Sequence, residues 1–321
     1  MKIAVLVPCY NEGLTIRKVV QDFKQSLPEA DIYVYDNNSK DNTIEEALKA
    51  GAIVRREYRQ GKGNVVRTMF RDIEADIYIL VDGDDTYPAE DASALIQPIT
   101  EGKADMVIGD RLSNGRYAQE NKRNFHNFGN RLVQTLINKI FHSKINDIMT
   151  GYRAYNRYFV KNFPIQSTGF QLETEMSIFA LVHNFKLKEV QIEYRDRPEG
   201  SVSKLNTVQD GIRVLRMIFD LFKNTRPLLF FSLVAGFLLL LSLILGTPVL
   251  YEYFTTQFIT HVPLAILASS LAVIASIFVI VGLILDTLAY YHRKDFETGL
   301  NHYLTEHINP FISEVNEVEH A

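Results

Sequence analysis

The sequence predicts an α/β domain built on a mostly parallel sheet, followed by an amphipathic helix and two membrane-spanning helices. Three observations carry that expectation. Short apolar runs alternate with helical periodicities through the first quarter of the chain. Polar residues gather directly after those apolar runs, where open α/β sheets bind ligands. Two long stretches without any charged residue lie near the C-terminus.

The elements follow in order. "KIAVLVPCY" is continuously apolar up to Pro8, as expected of a strand buried on both faces. "EGLTIRKVVQDFKQSL" has helical spacing of its apolar residues, and "DIYVYDNNS" is a second strand that ends in polar groups. "TIEEALKAGA" is a short helix stopped at Gly51. "AIVRREY" is the third strand, "GNVVRTMFRDIE" a helix and "DIYILVD" the fourth strand. Tyr10, Asn11 and Glu12 follow the first strand, Asp36, Asn37 and Asn38 the second, and Asp82, Asp84 and Asp85 the fourth. Further on, "NFHNFGNRLVQTLINKIF" reads as a packed helix, and "TGFQLETEMSIFALV" starts another whose Glu173 and Glu175 face the polar edge.

The 321 residues suffice for one large domain or two ordinary ones. A net charge of −4 gives no reason to expect a nucleic-acid partner. Cys9 is the only cysteine, which excludes an internal disulfide and a cysteine-rich metal site. The opening "MKIAVLVPCYNEG" reads as a first strand rather than a signal peptide.

No Asp, Glu, Lys or Arg occurs from Pro227 to Tyr251 or from Tyr253 to Leu285. Crossing a bilayer takes roughly 20 apolar residues, so spans are expected at 227–250 and 263–290. Lys223 and Arg226 precede the first, Arg293 and Lys294 follow the second, and the loop "YEYFTTQFITH" has no Lys or Arg. The positive-inside rule then places both termini in the cytoplasm of a multi-pass cell-membrane protein. The expected layout is a cytoplasmic domain over 1–206, a juxtamembrane helix over 207–226, the two spans, and a cytoplasmic tail over 291–321. In the juxtamembrane helix Ile212, Leu215, Ile218, Phe219 and Phe222 form an apolar stripe suited to the membrane interface.

"LVDGDDTYP" puts three carboxylates at the end of a buried strand. They repel one another unless a cation lies between them. Asp82 and Asp84 are two apart, so in extended chain both reach one ion from the same side. Hard oxygen ligands suit Mg²⁺ or Mn²⁺, whose shell is completed by water and substrate phosphates. A solvated turn is the plainer alternative.

"VPCYNEG", "YDNNSKDNT", "GKGNVVR", "DGDDTYP", "GDR", "DIMTGYRAY" and "RPEGSVSKL" occur in the order found in family 2 glycosyltransferases of the GT-A fold. Over roughly residues 3–206 the chain resembles the polyprenyl-phosphate glycosyltransferases, the group that contains dolichyl-phosphate mannose synthase. The resemblance implies that Pro8, Tyr10, Glu12 and Asp36 hold the base and ribose of a UDP- or GDP-sugar. It implies that Lys62 lies near the base or diphosphate, and that Asp82 and Asp84 meet the nucleotide and Mg²⁺ or Mn²⁺. The flanking glycines let the backbone at Lys62 approach a ligand closely. Thr86 stands where the family often has Gln, and Asn37 where it often has a second Asp.

On the acceptor side, Arg111, Arg123, Asn127, Arg197, Ser203 and Lys204 match family positions that grip the phosphate of the lipid. An arginine fork bonds two phosphate oxygens at once. Asp147 matches the family's Asp near the reacting centre, in an orienting or weak-base role. Asp84, Asp147 and Arg111 are thus the candidate catalytic residues. The implied reaction is one inverting displacement that joins a hexose to a polyprenyl phosphate such as undecaprenyl phosphate, for cell-envelope glycosylation. The resemblance also implies assembly as a homo-oligomer, and a separate flippase is expected because two spans offer little room for a transport path. One alternative, a processive polysaccharide synthase of the same fold, is disfavoured because the chain has no Trp for a QxxRW motif. The other is a catalytically inactive membrane scaffold.

Overall fold

The computed structural model describes residues 1–113, 124–169, 171–198, 200 and 207–307. The chain divides into two units, Met1–Met217 and Ile218–Ala321.

The first unit is a seven-stranded sheet with helices on both faces. Its elements are β1 (Ile3–Cys9), α1 (Ile16–Ser26), β2 (Asp31–Asp36), α2 (Thr43–Lys49), β3 (Ile53–Arg56), α3 (Lys62–Asp72) and β4 (Ile77–Leu80). There follow α4 (Ala92–Thr100), β5 (Met106–Asp110), α5 (Asn124–Phe141), β6 (Arg153–Asn156), α6 (Arg157–Asn162), α7 (Leu172–Val182) and β7 (Leu187–Gln191). The strand order is β3-β2-β1-β4-β6-β5-β7. All neighbours are parallel except β6, which runs antiparallel between β4 and β5.

The apolar runs explain this arrangement. Val5 and Val7 of β1 point to one face and pack with Val19, Val20 and Phe23 of α1 and Leu95 and Ile99 of α4. Ala4 and Leu6 alternate with them and are equally buried, so the strand has no polar side. An aromatic cluster of Tyr155, Phe159, Phe163, Phe179 and Phe185 holds α6 and α7 together.

The antiparallel β6 matters for the site. In a parallel sheet the strand ends carry the functional side chains. Here β6 contributes its beginning instead: Arg153 pairs with Leu80 on one side and Ile108 on the other. The loop before Arg153 therefore lies beside the residues that follow β4 and β5.

Helix α8 (Thr207–Thr225) leads into α9 (Pro227–Thr256), which opens on proline, and then α10 (Val262–His307). On α8, Ile212, Leu215 and Phe219 are exposed, whereas Ile218 of the expected stripe is buried along with Val214. The apolar residues thus divide between two faces. Both α9 and α10 are long and apolar enough to cross a membrane. They pack as a hairpin: Ser242 Oγ donates to Ala268 O at 2.7 Å, Phe231 meets Phe278, and Gly282 lets α10 approach Phe231. Both helices overrun the apolar stretches. α10 continues through charged residues to His307, so the segment after 290 begins as helix.

Candidate active site

Three residues with left-handed backbone mark one edge of the sheet. Asn11 (φ 52°), Asn38 (φ 65°) and Asp85 (φ 60°) follow β1, β2 and β4. Asn and Asp tolerate this conformation better than other side chains, and each turns the chain sharply away from its strand. Pro8, Tyr10 and Glu12 are half-buried beside that edge, and Asp36 is buried. The Asp36 carboxylate accepts the Ser39 N–H at 3.2 Å, and the Glu12 N–H donates to Thr43 Oγ1 at 2.9 Å.

Asn37 is a clamp for the loop before α3. Its amide nitrogen donates to Glu57 O at 2.8 Å and Arg59 O at 2.9 Å, and its oxygen accepts from Gly61 N at 2.7 Å and Gln60 Nε2 at 3.1 Å. That set uses the full capacity of the amide donors. Asn37 therefore shapes the loop, which explains an amide where an acid was expected.

The two glycines around Lys62 also have a packing reason. A Cβ on Gly61 would lie 2.1 Å from Thr168 O, and one on Gly63 would lie 2.1 Å from Ser167 O. Gly61 also has φ 125°, which strains any other residue. What these glycines approach is the backbone at 167–168, where the sequence reading placed a ligand. That backbone is fixed by Glu175, which accepts the N–H groups of Gln166 at 2.8 Å and Ser167 at 2.9 Å.

Lys62 is consequently aimed inward. Its ammonium lies 2.6 Å from Asp82 Oδ1 and 2.6 Å from Glu173 Oε1. Burial alone would push its pKa down, but the two carboxylates override it and hold the value well above the usual lysine range.

The carboxylates after β4 divide among three cations. Asp82 takes Lys62, Asp84 takes Arg197, and Asp85 turns away to Lys18 at 2.8 Å. Asp84 is buried, and its Oδ1 accepts from Thr86 Oγ1 at 2.6 Å. Burial raises its pKa, the Asp82 charge raises it further, and Arg197 opposes both. Thr86 thus serves Asp84. Among the described residues no group of three His, Cys, Asp or Glu side chains could hold a metal. Asp82 and Asp84, the pair expected to meet a divalent ion, are each paired here with a cationic side chain.

The other half of the site centres on Arg111 and Asp147. Arg111 donates in a fork, Nε to Asp147 Oδ2 at 2.7 Å and Nη2 to Oδ1 at 2.9 Å. Its Nη1 donates to Tyr87 Oη at 3.2 Å, and the guanidinium lies over the Tyr87 and Tyr194 rings. Both partners of the fork are buried. Glu189 steadies the loop by accepting the N–H groups of Asn146 at 2.8 Å and Asp147 at 3.0 Å. Both carboxylate oxygens of Asp147 are occupied by Arg111.

Gly151 joins the two halves. Its N–H donates to Tyr87 Oη at 3.1 Å, and a Cβ placed on it would lie 2.5 Å from Asp82 Oδ2. Arg123, Ser203 and Lys204 lie outside the described residues, and for Asn127, in the first turn of α5, only the backbone is described. Sequence reasoning missed Tyr87 and the partnership of Lys62 with Glu173. The first sits in "DGDDTYP" without a role of its own in that motif, and the second joins residues 111 apart.

Comparison with known proteins agrees with this geometry. Residues 4–163 match the family described as Glycosyl transferase family 2. The chain is 32% identical over 296 residues to Glycosyltransferase AglJ of Haloferax volcanii, covering 92% of this chain and 96% of that one. It is 30% identical over 217 residues to the dolichyl-phosphate hexose transferase of the same organism, covering 67% and 92%. Among solved structures, glucosyl-3-phosphoglycerate synthase from Mycobacterium tuberculosis, in complex with Mn²⁺, UDP and phosphoglyceric acid, superposes with a TM-score of 0.55 at 19% identity. That match covers 69% of this chain and 77% of the synthase. At that identity the likeness is one of fold.

Proposed function

We infer the reaction from one premise: the chain belongs to glycosyl transferase family 2. The reading is an inverting hexosyltransferase that moves a sugar from a UDP- or GDP-sugar to polyprenyl phosphate at the membrane. The observation that carries it is the contact between Asp84 and Arg197. A carboxylate suited to the donor's metal touches a cation suited to an acceptor phosphate, so donor and acceptor charges would meet at one point.

The chemistry asks little of a base. A phosphate monoester has its second pKa near 6, so its nucleophilic oxygen is already ionised at neutral pH. The demand falls on alignment and on the leaving nucleoside diphosphate. Asp82 and Asp84 would hold Mg²⁺ or Mn²⁺, which neutralises the diphosphate as it departs. Pro8, Tyr10, Glu12 and Asp36 would hold the nucleoside. Lys62 keeps Asp82 and Glu173 in place and adds positive charge beside the diphosphate. Arg197 and Arg111, with Arg123, Asn127, Ser203 and Lys204, would receive the lipid phosphate, and Asp147 would fix the direction of the Arg111 fork. One displacement inverts the anomeric configuration. The apolar hairpin keeps the enzyme in the bilayer that dissolves its acceptor, with the domain and both termini cytoplasmic and the product passed to a separate flippase.

The test is nucleotide binding by calorimetry. UDP or GDP should bind only with Mn²⁺ or Mg²⁺, and D84A should lose that metal-dependent binding while remaining folded. Equal binding with and without metal, in both proteins, would overturn the assignment of Asp84.

A further inference from the structure

We infer that Arg153 is the positioning residue that locks the donor half of the site to the acceptor half. The chemistry it serves is the transfer proposed above; its place in the structure is independent of that reading.

Among the described residues Arg153 is the largest fully buried side chain, with no exposed surface. Its fork reaches no carboxylate among the described residues. Nε donates to Thr150 O at 3.1 Å, Nη2 to Ile148 O at 2.5 Å and Nη1 to Ser177 Oγ at 2.9 Å, with Met106 Sδ 3.7 Å away. A guanidinium cannot shed its proton, and burying a charge without an opposite one is expensive. The position lies between Leu80 and Ile108 in the middle of the sheet, where an aliphatic side chain would pack more cheaply. The charge therefore needs a reason, and its three partners give one.

Ile148 and Thr150 bracket the loop that runs between Asp147 and Gly151. At one end Asp147 is forked by Arg111; at the other Gly151 donates to Tyr87 and leaves no room for a Cβ, which would lie 2.5 Å from Asp82 Oδ2 and 3.1 Å from Lys62 Nζ. The third partner, Ser177, donates to Glu173 O at 2.9 Å, and the Glu173 carboxylate holds Lys62. One rigid planar group thus fixes the loop carrying Asp147 and the helix turn carrying Glu173. Lysine, a point charge on a flexible stem, cannot serve three acceptors along those directions. A misplacement of about 1 Å at the reacting groups costs on the order of 10²-fold in rate.

The experiment compares wild type, R153K and S177A in detergent, each checked for folding by circular dichroism. Three quantities are read: sugar transfer, nucleotide binding with Mn²⁺, and hydrogen exchange of the peptide over 147–152. For R153K, kcat should fall about 10- to 100-fold while nucleotide Kd stays within about threefold, because alignment is lost and the metal carboxylates remain. S177A should fall in the same direction by less. Exchange should quicken in 147–152 and stay unchanged in β1 and β2. Wild-type kcat in R153K overturns the inference, and so does a loss of kcat and nucleotide affinity by one common factor. If wild type itself transfers no sugar, the functional reading fails instead. Hydrogen exchange then decides Arg153 alone: quickening confined to 147–152 supports it, and none, or uniform quickening, overturns it.

Discussion

Replacing Lys62 by Met removes the ammonium between Asp82 and Glu173 and keeps the length of the side chain. The two carboxylates suffer unequally. The Glu173 side chain is 5% exposed and cannot be rehydrated, whereas that of Asp82 is 30% exposed and is partly screened by water. Removing one partner of a buried pair costs about 3–5 kcal/mol, and with one deeply buried orphan the lower end, about 3 kcal/mol, applies. In a unit the size of residues 1–217, each kcal/mol lowers Tm by about 2–4 °C, so the expected fall is about 6–12 °C. The pH dependence has a definite sign. The Lys62 pKa is raised on folding, so its contribution is complete below the unfolded lysine value and lost only as pH rises through the folded one. Wild type is therefore unaffected near neutrality. In K62M the buried Glu173 carboxylate is left without that partner. Adding E173Q to K62M removes the orphan and recovers part of the loss. Circular dichroism at 222 nm follows the melts, because the chain has no Trp to report by fluorescence. A K62M protein melting within about 2 °C of wild type at neutral pH would refute the reasoning.

Three further outcomes are expected. R197A should raise the acceptor KM at least about tenfold, the worth of one charged phosphate contact, with nucleotide affinity retained; unchanged acceptor kinetics would remove Arg197 from the acceptor site. Glu57 has its pKa lowered from 4.5 to about 2, chiefly by Arg59 and against its own burial. Its stabilisation is present above 4.5 and lost as pH falls toward 2, so E57Q should flatten that part of the acid melting curve. G63A places a methyl carbon against Ser167 O and should displace the Lys62 loop. Nucleotide binding in G63A should weaken about tenfold or more, since a misplaced Lys62 leaves Asp82 unpaired; wild-type affinity would mean that the loop has slack.

The parallel half of the sheet was legible because β1, β2 and β4 are buried on both faces and so appear as unbroken apolar runs. The two long apolar helices were legible because uncharged runs of that length stand out in one dimension. The DGD carboxylates stood out because they break such a run. β6 left no comparable trace. It has only four residues, and its place between β4 and β5 depends on pairings far away in sequence. Arg153 was hidden for the same reason, since nothing local distinguishes a buried arginine from an exposed one. The pairing of Lys62 with Glu173 left no local trace because it joins residues 111 apart. Asn37 was noted only as standing where the family often has Asp, and it is a fully bonded clamp. In each case the missing information was a partner supplied by a distant segment.

The most direct test of the account is transfer itself. Purified protein in detergent is given undecaprenyl phosphate, Mg²⁺ or Mn²⁺, and in separate reactions radiolabelled UDP-glucose, UDP-galactose, UDP-GlcNAc and GDP-mannose. The account predicts label entering the organic phase with one donor, and none with EDTA or with D84A. No label from any of these donors, in folded protein that binds none of the nucleotides, would contradict it.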